Sequence, residues 1–315
     1  MDLFSTNAGR AAPLAERVRP SELDGFVGQG HLLGPGSLLR RAVSAGRLGS
    51  CVFYGPPGTG KTTLANIIAN TSGGAFVKLN AVSSGVADAK KVIDEARANL
   101  KLYGRSTYLL LDECHCWNKA QSDCMLAAIE DGSIIFIGST TENPNVAMTR
   151  AIVSRCRIFE FMPLSEPEIE AALRRAAASD AQLNALNPVI TDAAYRFLAW
   201  AGAGDLRSAL NALELAVITT PAVDGVITVG ETEASQSIQK RSLSVDESMY
   251  YDMLSAFCKS LRGSDPNAAL YWSHRLTKAG CDPMLLFRRL IAHASEESYS
   301  FVQTVLYPHN AQNTA

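Results

Sequence analysis

A glycine-rich stretch near residue 55 has the residue types and the spacing needed to bind a polyphosphate. Residues 55–62 read GPPGTGKT, which fits the pattern G-x-x-x-x-G-K-[ST]. Glycines allow the backbone to bring its N–H groups close to an anion, because no Cβ atom intervenes. Lys61 would supply a mobile charge to the β- and γ-phosphates, and the Thr62 hydroxyl would reach Mg²⁺. We therefore predict a triphosphate site here, in preference to a glycine-rich turn that binds no ligand.

Two acidic residues at the end of an apolar run form a second chemical motif. The run TYLLLDE covers residues 107–113 and predicts a buried strand that ends in Asp112 and Glu113. Asp112 is placed to hold the water shell of Mg²⁺, and Glu113 to orient or deprotonate an attacking water. The alternative is an acidic turn at a strand end, but the phosphate loop earlier in the chain favours the catalytic interpretation.

A second apolar run ends in hydroxyl and amide side chains. The segment IIFIGSTTENP covers residues 134–144 and predicts a buried strand followed by Ser139, Thr140, Thr141 and Asn143. Any of these side chains could reach the γ-phosphate or the attacking water. The alternative is ordinary turn chemistry before the proline that follows.

Two arginines occupy positions where an anion would explain them. Arg155, in the triplet SRC, could act as a finger toward the nucleotide of a neighbouring subunit. Arg207, in GDLR, lies near a predicted helix start, where a cation is unfavourable unless a phosphate is bound beside it. In both cases the alternative is an ordinary solvated arginine.

Strands and helices alternate through the first half of the chain, which predicts a parallel sheet covered on both faces. A helix with Ser37 as N-cap and Gly46 as C-cap precedes this pattern. Ligands of such sheets bind at the carboxyl ends of the strands. The predicted strands are 51–54, 75–80, 107–112, 134–138 and 157–161, and the predicted helices are about 61–71, 88–100, 118–130 and 148–153.

The second half of the chain is predicted to be helical. Ser165, Thr191 and Asp205 are expected caps of three successive helices, and Asp265 and Asp282 each precede a proline at a later helix start. The expected organisation is a disordered N-terminus at 1–12, an α/β core at 13–162, a helical lid at 163–220, a linker at 221–244 with a weak β-like piece at 226–230, and a helical domain at 245–315 whose tail lacks clear periodicity.

Composition limits the class of protein. The 315 residues exceed one ordinary domain, and 47% hydrophobic with 19% charged residues is a usual globular balance. We see no apolar run of membrane-spanning length and no secretory pattern. Seven cysteines without a C-x-x-C pair favour reduced thiols in a cytoplasmic or nuclear protein. The net charge of −2 argues against a strongly basic protein but allows a local DNA-binding patch.

A cluster of sulfur and imidazole side chains follows the acidic motif. It comprises Cys114, His115, Cys116 and Cys124. The spacing C-x-C directly after a strand is poorly suited to a tetrahedral metal site. We therefore predict Mg²⁺ as the only metal.

Several segments together resemble the AAA+ ATPases of the RarA/MgsA family, which includes the eukaryotic Werner-helicase-interacting protein. The resemblance covers roughly residues 13–298. The segments that carry it are FVGQGHLLGPG, GPPGTGKTTLA, DECHCWNKAQSD, GDLRSALNALELA, STTENPN and KSLRGSDPNAALYW, and the combination of the last two is the most specific.

The resemblance implies a P-loop AAA+ core with a five-stranded parallel sheet, an all-α lid and an all-α oligomerisation domain. It implies DNA-dependent hydrolysis of ATP to ADP and phosphate in replication-fork maintenance, recombination and DNA repair. Implied partners are single-stranded, gapped or forked DNA, a single-strand DNA-binding protein and further copies of the chain, typically as a tetramer. Implied locations are the cytoplasm and nucleoid of a prokaryote or the nucleus of a eukaryote, with no membrane.

The resemblance also implies roles for individual residues. ATP and Mg²⁺ are the implied cofactors, with Mg²⁺ on Thr62 and, through water, on Asp112. Glu113 completes the Walker-B pair, Thr140 or Thr141 is the sensor-1 position with Asn143 as a third option, Arg155 is the trans finger and Arg207 is sensor 2. The implied nucleotide contacts are Arg19, Pro20, Val27 and Gly28 on the adenine side and Gly55, Pro56, Pro57, Gly58, Thr59, Gly60, Lys61, Thr62 and Thr63 in the phosphate loop.

The chain departs from the family pattern in two places. Cys114 and Cys116 stand where most relatives have an apolar and a basic residue. The pattern also ends near residue 298, whereas family members continue, which predicts a shortened oligomerisation domain.

Other functions fit the same motifs. A clamp-loader-like or branch-migration motor subunit would share the ATPase site, and stimulation by a sliding clamp rather than by DNA would favour it. A nucleotide-binding scaffold without turnover would show no DNA-stimulated phosphate release. A small-molecule P-loop kinase is disfavoured by the GDLR and SRC arginines.

Overall fold

A five-stranded parallel sheet, whose strands lie side by side in the order second, third, fourth, first and fifth along the chain, forms the centre of the first structural unit. The computed structural model describes residues 12–238, 247–279 and 281–306, without the side chains of 247–248 and 295–306. The expected disorder of residues 1–12 therefore lies almost entirely outside the described residues. The strands are β1 Cys51–Tyr54, β2 Ala75–Asn80, β3 Thr107–Asp112, β4 Ile134–Thr140 and β5 Arg157–Glu160.

Helices cover both faces of this sheet because successive side chains of a strand point to opposite sides. Leu109 and Leu111 of β3 are buried in a cluster with side chains of the helices at 86–103 and 119–130. Tyr108 and Leu110 are buried with side chains of the helices at 38–44 and 61–72. The prediction of a doubly covered parallel sheet is confirmed. The helices of this part are α1 Leu14–Arg17, α2 Gly30–Leu33, α3 Leu38–Ser44, α4 Lys61–Ser72, α5 Val86–Tyr103, α6 Lys119–Glu130, α7 Pro144–Ala147 and α8 Arg150–Val153.

The register of the sheet brings three strand ends to one level. Asp112 at the end of β3 is paired with Asn80 of β2 and Ser139 of β4, and Tyr54 at the end of β1 is paired with Thr140. The segments that follow β1, β3 and β4 therefore begin at the same edge of the sheet. The glycine-rich loop, the acidic pair and the polar run that were predicted from the sequence follow these three strands.

The segment after β4 differs from its prediction. One helix was predicted at 148–153, but the structure has two short helices, α7 and α8. Asn143 caps α7 by accepting a hydrogen bond from the Asn145 backbone N–H, at 3.0 Å, and Pro144 takes the first helical position. A proline is tolerated there because the first N–H groups of a helix have no intrahelical partner.

The lid is a bundle of helices with its own apolar core. Its elements are α9 Glu166–Ser179, α10 Ala181–Leu186, β6 Val189–Ile190, α11 Asp192–Gly202, α12 Leu206–Thr219, β7 Thr228–Val229 and α13 Glu231–Ser237. The predicted capping box at Ser165 and the caps at Thr191 and Asp205 are present.

The predicted linker at 221–244 is wrong for its first part. Strand β7 pairs with β6, and Val229 and Ala234 are fully buried in the lid core. Residues 221–238 therefore belong to the lid, and the weak β-like signal at 226–230 marked β7. This part was predicted as a linker because it is rich in prolines, glycines and hydroxyl residues and because its strand and helix are short. Residues 239–246 lie outside the described part.

Helix α1 also packs on the lid, although it precedes the core in sequence. Leu14 is fully buried in the lid cluster, and its backbone N–H donates to Glu214 Oε2 at 2.8 Å. Arg17 donates from Nε and Nη2 to Asp180 at 2.8 and 2.9 Å, and from Nη1 to Glu214 at 2.6 Å. The expected assignment of residues 13–18 to the core is therefore corrected, because their buried contacts are with the lid.

The second structural unit contains three helices among its described residues. They are α14 Glu247–Arg262, α15 Pro266–Lys278 and α16 Pro283–Leu306, packed around Met253, Leu254, Phe257, Leu276, Cys281 and Leu286. Asp265 caps α15 as predicted, with Oδ1 accepting from the Ala268 N–H at 3.0 Å. The tail expected to lack periodicity is helical as far as Leu306. None of the helices in the described parts of the chain is both long and apolar enough to span a membrane.

Candidate nucleotide-binding site

A cavity of about 610 Å³ lies at the carboxyl edge of the sheet, between the core strands and helices α9 and α12 of the lid. This volume falls within the range of small-molecule sites. Most of the predicted site residues line it. They are Arg19, Pro20, Val27, Pro57, Gly58, Thr59, Gly60, Lys61, Thr62, Thr63, Asp112, Glu113, Thr141 and Arg207.

The phosphate loop requires glycine at positions where the chain is crowded. Gly58 has φ +66°, and a Cβ built there would lie 1.7 Å from Asp205 Oδ1 of the lid. Gly60 has φ +97°, and its Cβ would lie 2.6 Å from Phe26 Cζ. The Gly58 carbonyl also accepts a hydrogen bond of 3.3 Å from the Leu206 N–H at the start of α12. The lid therefore contacts the loop directly, at a point that only glycine can occupy without displacement.

Lys61 is buried at the first position of α4, with 8% of its surface exposed. Its Nζ donates to the carbonyl oxygens of Gly55 and Pro56, at 2.6 and 2.7 Å. Burial lowers the pKa of Lys61 to about 8, against the opposing influence of the Glu113 and Asp112 carboxylates. A buried ammonium is stabilised by a nearby anion, so a bound phosphate would offset the cost of burying this charge. The residues present therefore fit a triphosphate.

The acidic pair lines the same cavity as the phosphate loop. Asp112 ends β3 and is 3.7 Å from Lys78 Nζ, measured at Oδ2. Glu113 has φ +52°, a conformation that residues other than glycine rarely adopt, and it begins a 3-10 helix at Cys114–Cys116. Thr62 lines the same cavity from the first turn of α4. One hydroxyl and two carboxylates are oxygen ligands suited to Mg²⁺, which usually keeps several waters.

The polar run after β4 is divided by the alternation of the strand. Ser139 and Thr141 line the cavity, whereas Thr140 between them is 1% exposed and faces away. The Thr140 Oγ1 atom is bonded to His115 Nδ1 at 2.8 Å and accepts from the Glu142 N–H at 3.0 Å. Of the three candidates for sensor 1, the structure places Thr141 in the cavity, Thr140 behind it and Asn143 at the cap of α7.

Four other predicted residues do not line the cavity. Gly28 lies under Leu164, where a Cβ would come 2.2 Å from Leu164 Cδ2, and Gly55 and Pro56 act through the carbonyls that bind Lys61. Arg155 follows α8, where its Nε donates to Glu130 Oε1 at 2.7 Å. Within one chain, this arginine is therefore bonded to α6 and not to the cavity.

The wall of the cavity that the lid supplies contains residues that the sequence motifs did not predict. One face of α9 and the first turns of α12 complete the wall, together with Phe26 and Lys78. The missed lid residues are Ala172, Arg175, Ala176, Ser179, Leu206, Leu210 and Asn211. Their spacing of three and four residues on α9 was a detectable signal, because such positions share a helix face. Arg19, expected on the adenine side, donates from Nη1 to Thr63 Oγ1 at 3.3 Å and pairs with Glu16.

The cysteine cluster after β3 is dispersed in the structure. Cys114 is buried against Met148, and burial raises the pKa of its thiol, while Cys116 is exposed. Among the residues that the structure describes, no group of three or more His, Cys, Asp or Glu side chains is arranged to hold a metal ion.

Comparison with known families divides the chain into three matched segments. Residues 51–164 match the ATPase family associated with various cellular activities, AAA. Residues 183–262 match the AAA C-terminal domain, and residues 263–298 match the MgsA AAA+ ATPase C terminal region. The phosphate loop and the acidic pair both lie within the first match.

Curated relatives extend over both structural units. The chain is 44% identical over 289 residues to replication-associated recombination protein A of Bacillus subtilis, covering 90% of this chain and 67% of the relative. It is 41% identical over 288 residues to the protein of the same name from Haemophilus influenzae, covering 90% of this chain and 64% of the relative. The chain thus spans about two thirds of the length of these relatives.

A solved structure shares the fold. The Holliday junction branch migration motor RuvB of Thermotoga maritima superposes with a TM-score of 0.56 at 25% identity, covering 78% of this chain and 79% of that chain. The sheet order, the phosphate loop and the helical lid define an AAA ATPase. More narrowly, the chain belongs to the replication-associated recombination protein A family.

Proposed function

We propose that this protein is a DNA-dependent ATPase that acts in replication-fork maintenance, recombination and DNA repair. The observation that carries the proposal is the meeting of Lys61, Thr62, Asp112, Glu113 and Arg207 in one cavity. These residues come from the core and from the lid, so nucleotide binding would join the two. The names of the relatives support the place of this activity in replication and recombination.

Each residue has a role in hydrolysis that its position supports. Lys61, Arg207 and the loop N–H groups hold the phosphates and offset the charge that develops on the transferring group. Thr62 and, through water, Asp112 would hold Mg²⁺, which would add further charge neutralisation. Glu113 orients the attacking water, and Thr141 contacts that water or the γ-phosphate from the end of β4.

A complete site is proposed to need a neighbouring copy of the chain. Arg155 is bonded to Glu130 outside its own cavity, so it would serve the nucleotide of an adjacent subunit. This assignment implies a homo-oligomer, which the family resemblance suggests is a tetramer. A single-strand DNA-binding protein and gapped or forked DNA are the proposed partners, and the proposed location is the cytoplasm and nucleoid of a prokaryote, or the nucleus if the source is eukaryotic.

The test measures phosphate release and solution mass together, with and without gapped DNA. We expect ATP-dependent assembly and DNA-stimulated release of phosphate in the wild type, and loss of phosphate release in Lys61→Ala. Nucleotide binding without release under every condition would contradict the proposal and support a nucleotide-binding scaffold.

A second candidate function is that of a branch-migration motor, which the similarity to RuvB favours. The two functions predict different DNA substrates for the same ATPase site. Stimulation by four-way junctions with movement of the junction point would favour the motor. Stimulation by gaps or single-strand ends without such movement would favour the proposed role at replication forks.

A further inference from the structure

His115 lies between the acidic motif and the end of β4. Its Nδ1 is 2.8 Å from Thr140 Oγ1 and 3.5 Å from Glu113 Oε2, and its Nε2 is 3.5 Å from Glu142 Oε1. The side chain is 17% exposed, so it is mostly enclosed by these partners. It does not line the cavity itself.

Local backbone geometry explains why His115 reaches this position. Glu113 takes a left-handed conformation, with φ +52°, immediately after β3. The 3-10 helix at Cys114–Cys116 then turns the chain back toward the neighbouring strand β4. Left-handed non-glycine residues are energetically costly and persist where surrounding contacts hold them. The contacts of His115 are of this kind.

Thr140 extends this contact to the phosphate loop. Its hydroxyl binds His115, and its carbonyl accepts a hydrogen bond of 3.2 Å from the Gly55 N–H. Gly55 in turn accepts from Lys61 Nζ. A continuous set of contacts therefore joins Glu113, His115, Thr140, Gly55 and Lys61, and only the first and last of these side chains line the cavity.

We propose that His115 is a positioning residue for hydrolysis, which holds the Glu113 carboxylate at a fixed place relative to Thr141 and the phosphate loop. The inference rests on the proposed ATP hydrolysis and concerns the geometry of the water-orienting group. Nucleotide affinity depends on Lys61 and the loop, so loss of His115 should affect turnover and leave binding largely intact. Thr140, the buried partner, should behave in the same way.

The first test separates turnover from binding in His115→Ala, Thr140→Val and the double variant. We expect kcat to fall at least about tenfold in each single variant, as for other partners that orient a reacting group. Affinity for a non-hydrolysable ATP analogue should change by less than about threefold. The double variant should lose no more than the worse single variant, because the two residues act through one contact. His115→Asn, which retains a polar nitrogen near the Nδ1 position, should recover part of the rate.

The matched control is His31→Ala, since His31 is also bonded to a strand, through the Glu160 carbonyl at 2.9 Å, but lies away from the cavity. Its kcat should equal that of the wild type. The inference is overturned if His115→Ala turns over ATP normally, or if turnover, affinity and melting temperature fall together and His115→Asn rescues none of them.

A second measurement does not depend on hydrolysis. The chain has five histidines, so ¹⁵N-histidine labelling gives few signals, and the His115 signal is identified by its loss in His115→Ala. We expect Thr140→Val and Glu113→Gln each to shift it. If the wild type bound ATP without turnover, the proposed function would fail, and an unshifted His115 signal would separately overturn this inference.

Discussion

The Arg155 guanidinium is held by the Glu130 carboxylate at the end of α6, through hydrogen bonds from both Nε and Nη2. The side chains are 36% and 53% exposed, and exposed ion pairs contribute only about 0–1 kcal/mol. The contact can therefore be exchanged for a phosphate at low cost. This is the behaviour expected of an arginine that serves a neighbouring subunit.

The first prediction follows from that geometry. Arg155→Ala should bind ATP normally but lose about 10³-fold or more in turnover, because arginine fingers act on the transition state. Mixing it with Lys61→Ala should restore part of the rate, since Lys61→Ala still presents an intact Arg155 to the competent site. Phosphate release from the mixture, compared with each variant alone, measures this. An absence of recovery in co-assembled protein would count against a role in trans.

The second prediction concerns Glu113. Glu113→Gln keeps the size of the side chain but removes its negative charge, so ATP should bind while the steady-state rate falls by about 10²-fold or more. Filter binding of labelled ATP and phosphate release measure the two properties. Glu142→Gln is the comparison, because Glu142 also faces His115 but does not line the cavity. The steady-state rate of this variant should remain much closer to that of the wild type.

The third prediction tests the contact between the lid and the phosphate loop. Gly58→Ala places a Cβ against Asp205, so the loop or α12 must shift, and nucleotide affinity should fall at least about tenfold. Gly73→Ala is matched to it, since Gly73 also has a positive φ, of +63°, directly after the end of α4, but has open space around its Cβ position. That variant should lose about 1 kcal/mol of stability and retain its affinity. Equal affinities in both variants would refute the steric argument.

The fourth prediction concerns the ion pairs of α1. Arg17→Met leaves the largely buried Asp180 and Glu214 carboxylates unpaired, so the free energy of unfolding at pH 7 should fall by about 3 kcal/mol. Arg41→Met, on the exposed surface of α3, should change it little. Denaturant unfolding of the two variants and the wild type gives the comparison.

The same ion pairs give a dependence on pH. The hydrogen bonds from Arg17 lower the pKa of Asp180 below its ordinary value of 3.8. A carboxyl group with a lowered pKa in the folded state stabilises the fold at pH values above its ordinary pKa. This stabilisation is lost as the pH falls through the lowered pKa. The difference between wild type and Arg17→Met should therefore shrink as the pH is taken below about 4. A constant difference would show that the lost stability came from packing.

Local patterns predicted most of the core and the phosphate site. Apolar segments alternating with helical patterns located β1 to β5. The glycine loop and the Asp112–Glu113 pair line one cavity because parallel strands end at one edge of the sheet. The choice between Thr140 and Thr141 required the phase of β4, since one residue changes which face a side chain occupies. Because the residues of this strand are apolar without alternation, the sequence did not show which of its side chains point toward the cavity.

Contacts distant in sequence were beyond such patterns. Arg17 and Glu214 are 197 positions apart, and nothing local in either segment indicates the partner. The lid elements in 221–238 were missed because each is short and rich in residues typical of turns. His115 was considered only as a metal ligand, because its contact with Thr140 depends on the left-handed backbone of Glu113.

The attachment of α1 to the lid has a mechanical consequence. Arg19 and Pro20 follow shortly after α1, and Arg207 is the second residue of α12, so residues attached to the lid line the cavity at two separate places. Any movement of the lid relative to the core must stretch the hydrogen bond from Arg19 to Thr63 and the hydrogen bond from Leu206 to Gly58. In the proposed ATPase, one movement of the lid would therefore change the contacts to both the adenine and the phosphate ends of the nucleotide.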